Sequence, residues 1–191
     1  MPILYYSPQT RSDTVTDLVR MLDADIELRK VDILRPDGTG AADPANPHPE
    51  KKVPYLVNGT DAVRERGAII AYLTDAYPAA RLGPLPGEEG RGAYLSWLFY
   101  YQGVMEPLII LHWTGLSHVA VTSSLRDLDT MFARLAEPLQ AGPWLLGGRF
   151  SAADMLCSSP FVFFPDLLPE NPVIRDWVSR CADRVRQGED A

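Results

Sequence analysis

The sequence predicts two units of different class, a mixed α/β unit followed by an all-helical one. Three observations carry this. Short β-branched and aromatic runs alternate with helical periodicities as far as Tyr77; Pro78, Gly83, Pro84, Pro86 and Gly87 then break every pattern; from Glu88 onward apolar residues recur at helical spacing. The boundaries are a first domain over 1–78, a linker over 79–87 and a helical domain over 88–191. With 191 residues, 46% of them hydrophobic, the chain is long enough to bury a core.

Ile3 to Ser7 is short, β-branched and aromatic, and it stops at Pro8, as a buried strand does. Val15, Leu18, Val19 and Leu22 then fall on one helical face, opposite Asp13, Thr16, Asp17 and Arg20. Ile26, Leu28, Val31 and Ile33 alternate imperfectly and predict a second strand. From Arg35 to Lys52 the turn signals Asp37-Gly38 and Asn46-Pro47 predict a loop with at most one short helix. A strand at Tyr55-Leu56-Val57, a turn at Asn58-Gly59 and a strand at Ala62-Val63-Arg64 lead into a helix from Gly67 to Tyr77, where Ile69, Ile70, Leu73 and Tyr77 repeat. Helices are expected over 88–115, 117–141, 151–164 and 172–187. Ser151-Ala152-Ala153-Asp154, flanked by Phe150 and Met155, is a capping box with a staple and carries no chemistry.

Charge and cysteine usage narrow the function classes. Lysine and arginine number 18 against 25 acidic residues, a net −7 without like-charge blocks, which argues against nucleic acid or an anionic membrane as main partner. The opening Met1-Pro2-Ile3-Leu4-Tyr5-Tyr6 lacks a basic leader pattern, and no run reaches the roughly 18 to 20 apolar residues of a membrane span, so a soluble cytoplasmic protein is expected. Cys157 and Cys181 lie in helical patterns far apart, form no CxxC or metal-like cluster, and read as core thiols.

Two segments have both structural and functional readings. Pro54 in Lys52-Val53-Pro54-Tyr55-Leu56 either starts a strand or, if its peptide bond is cis, turns the Val53 amide and carbonyl outward to pair with a peptide ligand. Glu65 is either a favourable acid at a helix start or, with the amides of its turn, a mixed-charge end for an amino group and a carboxylate. Together they describe a site for something small and zwitterionic.

With Leu4-Tyr5-Tyr6-Ser7-Pro8, the segment His48 to Pro54, the stretch Glu65 to Leu73 and the cap Phe150 to Asp154 in this order, the chain resembles the cytosolic glutathione transferases over nearly its whole length. The resemblance implies a thioredoxin-like domain followed by an all-helical one, glutathione as co-substrate, and a homodimer. Val53 before a cis-proline would pair with the cysteinyl part, and Glu65 with Arg66 would hold the γ-glutamyl end; Lys52, Pro54 and Arg11 complete the implied glutathione-binding set. Serine is usual where Arg66 stands, so its hydroxyl is missing.

The chemistry implied is ionisation of a thiol, whose free pKa is about 8.5 and which helix N-termini, cations and hydrogen-bond donors lower. The opening aligns with a bacterial pattern YYSPGSCSLA, which puts Thr10 and Ser12 on serines and Arg11 on the cysteine of the bacterial beta class. Hydroxyl activation is therefore expected, from Thr10 first, Ser12 second and Tyr6 third. Thr10 and Asp13 also read as a capping box, and Arg11 as either a charge near the thiolate or a solvated side chain. A pocket for a small hydrophobic electrophile would draw on Tyr101, Met105 and Trp113, within a stripe with Tyr100 and Ile109 that equally describes core or dimer contact. No metal is implied. The leading expectation is conjugation of glutathione; the alternatives are isomerisation, dehalogenation or peroxide reduction on the same fold, or a binding or regulatory protein.

Overall fold

The computed structural model describes residues 1–188, and its contacts divide the chain into Met1–Ala80 and Arg81–Ala191. In the first unit β1 (Ile3–Tyr6), α1 (Asp13–Met21), β2 (Glu27–Lys30), β3 (Tyr55–Asn58), β4 (Asp61–Val63) and α2 (Arg66–Ala76) follow in order. The sheet runs β2-β1-β3-β4, with β2 parallel to β1 and the other neighbours antiparallel. Leu4 pairs with Leu56 and Tyr5 with Tyr55, so the period-2 alternation sends the leucines to one face and the tyrosines to the other. Leu4, Leu56, Val15, Leu18, Ile69 and Ile70 are fully buried. Tyr5 and Tyr55 cluster with Val31, against which Ile3, Val53 and Val57 pack.

No helix forms between Lys30 and Tyr55. The segment is held by polar contacts instead: Asp32 accepts the Ala41 amide at 3.0 Å and Asp43 accepts the Asp32 amide at 3.1 Å. Gly40 has φ +75°, and a Cβ there would strike the Ile33 carbonyl, so this crossing requires glycine.

In the second unit α3 (Arg91–Tyr100), a π-helical turn (Tyr101–Met105) and α4 (Glu106–Trp113) occupy the stretch expected as one helix. Pro107 has no N–H and its ring crowds the carbonyl four residues back; the Glu106 amide reaches Tyr101 O, a five-residue step that widens the helix there. The next expected helix is also two, α5 (Val119–Leu125) and α6 (Leu128–Ala141), broken where Arg126 takes φ 70° and Asp127 caps α6 by accepting the Thr130 amide at 2.8 Å. α7 (Ala152–Phe163) runs through the core, with Ala152 to Phe161 all buried, and α8 (Pro172–Gln187) packs on it through Ile174, Trp177 and Cys181. Of the stretch expected as a linker over 79–87, the part from Arg81 onward belongs to this unit, where Leu82 is buried and its carbonyl accepts the Ala152 amide at 2.7 Å.

The capping box at Ser151 is present. Asp154 does more than cap: one carboxylate oxygen accepts the Leu145 amide (2.8 Å) and Trp177 Nε1–H (3.0 Å), the other the Ser151 amide (3.0 Å) and hydroxyl (2.9 Å). Cys157 and Cys181 are both free and buried.

Candidate functional site

The sheet register brings four loops to one end of the first unit. Tyr5 pairs with Tyr55 in an antiparallel ladder, so the approach to β3 lies beside the exit from β1. Leu56 pairs with Val63, which sends the exit of β4 to the same end, and the parallel pairing of Tyr6 with Lys30 adds the exit of β2. Residues 7–12, 31–35, 52–54 and 64–66 therefore share one edge.

The Val53-Pro54 bond is cis. β3 begins only at Tyr55, so Val53 stands outside the ladder. The approach is held from behind by Asn46, fully buried, whose side chain accepts the His48 amide (3.0 Å) and donates to the Lys52 carbonyl (3.2 Å). Lys51 Nζ donates to the Asn46 carbonyl at 2.5 Å. Burial lowers the His48 pKa; the neutral ring accepts the Glu50 amide on Nδ1 (3.0 Å) and lies edge-on to Tyr55. Lys52 is exposed and pairs with Glu50 at 2.8 Å, which holds the Glu50 carboxyl below its ordinary range.

Glu65 sits at the N-cap of α2 with φ 68° and ψ 124°, a conformation costly for a residue with a Cβ. Its side chain is exposed, whereas the adjoining Arg66 is buried with Nη1 3.4 Å from Thr14 Oγ1 on α1. The arginine that departs from the expected serine thus ties the starts of the two helices together.

The loop before α1 is a closed knot of hydroxyls. Ser12, fully buried, donates from Oγ to the Ser7 carbonyl (2.8 Å) and accepts the Ser7 amide (3.1 Å). Thr10 Oγ1 accepts the Ser12 amide at 3.1 Å and stands 2.6 Å from the Ser7 carbonyl and 2.7 Å from Ser12 Oγ. Three short oxygen–oxygen contacts thus share two hydroxyl protons. If Thr10 turned its proton outward, a single proton would serve all three. α1 starts at Asp13, with Ser12 rather than Thr10 in the cap position, and burial raises the Asp13 pKa against the opposing pull of the nearby Gln9 and Thr10 amides. Tyr6 is half-buried and gives its carbonyl to the Val31 amide; Arg11 is exposed.

Arg35, which carries no sequence signal, reaches this loop from the β2 exit. Its Nη2 donates to the Pro8 carbonyl (3.2 Å) and Ser7 Oγ (3.3 Å), and its charge bears on Asp13. Only its fold position reveals it.

Tyr101, Met105 and Trp113 stand in the helical unit. Tyr101 and Met105 are buried in its core at the π-helical turn, whereas Trp113 is exposed beside Phe164, ring centroids 6.1 Å apart. Among the described residues no group of His, Cys, Asp and Glu is placed to hold a metal, and no helix is long and apolar enough to cross a membrane.

No family model matches the chain. A glutathione S-transferase of Actinobacillus pleuropneumoniae superposes with a TM-score of 0.79 at 21% identity, over 100% of this chain and 94% of that one. A glutathione transferase homologue from Sulfitobacter with bound glutathione gives 0.71 at 19%, over 100% and 97%. The chain has the glutathione transferase fold. Its thioredoxin-like unit precedes the helical unit, as in those proteins. In sequence it is 25% identical to the disulfide-bond oxidoreductase YfcG of Escherichia coli K12 across 210 residues, 97% of this chain and 92% of that protein. On this glutathione transferase fold, the four converging loops hold the positions singled out in the first unit.

Proposed function

We propose that the chain is a glutathione-dependent transferase. The observation that carries the reading is the common end of the sheet, where the free backbone of Val53, the exposed carboxylate of Glu65 and the loop before α1 meet. A tripeptide pairs there with Val53 through its cysteinyl main chain, its amino group meets Glu65, and its carboxylate meets the first amides of α2, including that of Arg66. The sulfur then falls near the loop 7–12. Because the Thr10 and Ser12 protons are held inside that loop, the charge favouring the thiolate comes from Arg35, and the hydroxyls keep the loop in shape. The thiolate attacks an apolar electrophile. Calorimetric titration with glutathione tests the reading: binding in the micromolar to millimolar range is expected, and its absence at millimolar concentration overturns it.

A second reading is favoured by the likeness to a disulfide-bond oxidoreductase together with the burial of both cysteines. Protein thiols then play no part. A glutathione thiolate attacks a substrate disulfide, forming a mixed disulfide and expelling one substrate thiolate; a second glutathione thiolate attacks the glutathione sulfur, giving oxidised glutathione and the second substrate thiol. Parallel assays on a dialkyl disulfide and a chlorinated aromatic, each with glutathione, separate the two. Turnover of the disulfide alone selects this second reading, and turnover of the aromatic alone removes it.

A further inference from the structure

The segment ahead of the cis-proline is knitted to itself by a set of short polar contacts. Asn46, fully buried, donates its amide to the Asp43 carbonyl (3.1 Å) and accepts the His48 amide on Oδ1 (3.0 Å). His48, also buried, accepts the Lys51 amide on its carbonyl (2.9 Å) and the Glu50 amide on Nδ1 (3.0 Å). Lys51 stands at φ 54°, a left-handed conformation that a long side chain rarely adopts, and its Nζ donates to the Asn46 carbonyl. These bonds already close the turn. Asn46 Nδ2 makes one more, to the Lys52 carbonyl six residues on, at 3.2 Å.

That last bond has a directional consequence. Val53-Pro54 is the one cis bond among the described residues, so the Lys52-Val53 peptide is trans. In a planar trans peptide the carbonyl and the following N–H point in opposite directions. A Lys52 carbonyl held by the buried Asn46 side chain therefore sends the Val53 N–H away from Asn46 and its turn. β3 begins only at Tyr55, so this N–H takes no part in the sheet ladder. An N–H can only donate, and the ligand group that answers it is an acceptor such as a peptide carbonyl.

We propose that Asn46 is a positioning residue of the glutathione site: it fixes the plane of the Lys52-Val53 peptide and so aims the Val53 N–H at the cysteinyl carbonyl of the tripeptide. It acts through that peptide rather than by touching the ligand. The inference rests on the glutathione reading above and adds to it the residue that makes the site prefer a ligand with that carbonyl. Without the Asn46 donor the peptide plane is no longer held, and the ligand must order it on binding.

The test is calorimetric titration of the full chain with glutathione and with γ-glutamylcysteamine, which keeps the γ-glutamyl end and the thiol and lacks the cysteinyl carbonyl. Asn46→Asp keeps an acceptor for the His48 amide and puts an oxygen where Nδ2 met the Lys52 carbonyl; Asn46→Ser keeps an uncharged acceptor too short to reach that carbonyl. In each variant the affinity for glutathione falls roughly fivefold, the scale of one neutral hydrogen bond. γ-Glutamylcysteamine stays within about twofold of its affinity for the unaltered chain, the spread expected of independent contacts. The serine variant carries the test if the aspartate, charged in a fully buried place, does not fold. Unchanged glutathione affinity overturns the proposal. An equal fall for both ligands overturns it too, because the loop as a whole is then damaged, and loss of folding in both variants assigns Asn46 to the fold alone. An unaltered chain that binds no glutathione is a separate outcome, which overturns the glutathione reading itself and this assignment with it.

Discussion

At the scale of single residues, the loop before α1 separates two roles that the sequence merges. A threonine and a serine ahead of a helix read equally as thiolate donors and as structural hydroxyls, and proton counting around the Ser7 carbonyl favours the structural role. Ser12→Ala leaves the buried Ser7 amide without its acceptor, a loss of about 1–3 kcal/mol that urea unfolding will register. Thr10→Val and Arg35→Gln distinguish the source of thiol activation. The apparent pKa of the bound thiol, followed by thiolate absorbance, rises by roughly half a unit in Arg35→Gln, the scale of a partly solvated charge pair, and stays in place in Thr10→Val. A rise in Thr10→Val with none in Arg35→Gln restores the hydroxyl as activator.

At the scale of elements, the start of α7 is the clearest case of one side chain organising several segments. Asp154 accepts four hydrogen bonds, from Leu145, Ser151 twice and Trp177, and so joins the turn before α7, its cap and α8. Asparagine cannot replace it, because its NH2 group must face one of the two pairs of donors. Asp154→Asn therefore costs on the order of 2–3 kcal/mol in denaturant unfolding. The pH dependence follows from the same burial, which outweighs the four donors and raises this pKa above its ordinary value of 3.8. As pH climbs past 3.8 the unfolded chain releases the proton first, the folded chain retains it, and this residue's contribution to stability falls until the folded pKa is passed. In Asp154→Asn that contribution is absent, measurable as a more positive slope of stability against pH above 3.8 than in the unaltered chain.

The same elements show what periodicity reveals and what it conceals. The order of strands and helices in the first unit is legible because each element carries its own pattern: alternation in Ile3 to Tyr6, a single apolar face in Val15 to Leu22, glycine in the turn after Asn58. The breaks within the helical unit lay in particular residues rather than in the pattern. Pro107 and the cap Asp127 are both visible in the sequence, yet the apolar repeat runs through them, so the long helices over 88–115 and 117–141 are each divided. Arg35 had no local signature at all. Its place at the loop is fixed by the parallel pairing of β1 with β2 and by a crossing that needs Gly40, both tertiary facts.

At the scale of the whole molecule, the proposed glutathione contacts belong to residues 1–80, which form one of the two units. A ligand that binds only the folded form stabilises by about 2.7 kcal/mol at a hundred times its dissociation constant. That increment acts on opening events that disrupt the site. Hydrogen exchange with and without glutathione should therefore show slower exchange at the start of α1, around Tyr55 and at the start of α2. Ala152 to Phe161, buried in the other unit and held by Asp154, should keep local-opening rates close to those of the free chain. If protection appears in α7 and not at those three segments, glutathione engages the helical unit and the site assigned to the converging loops is wrong. If it appears in both, the two units open together as one cooperative body, and the increment should be equal at the slowest-exchanging amides of each.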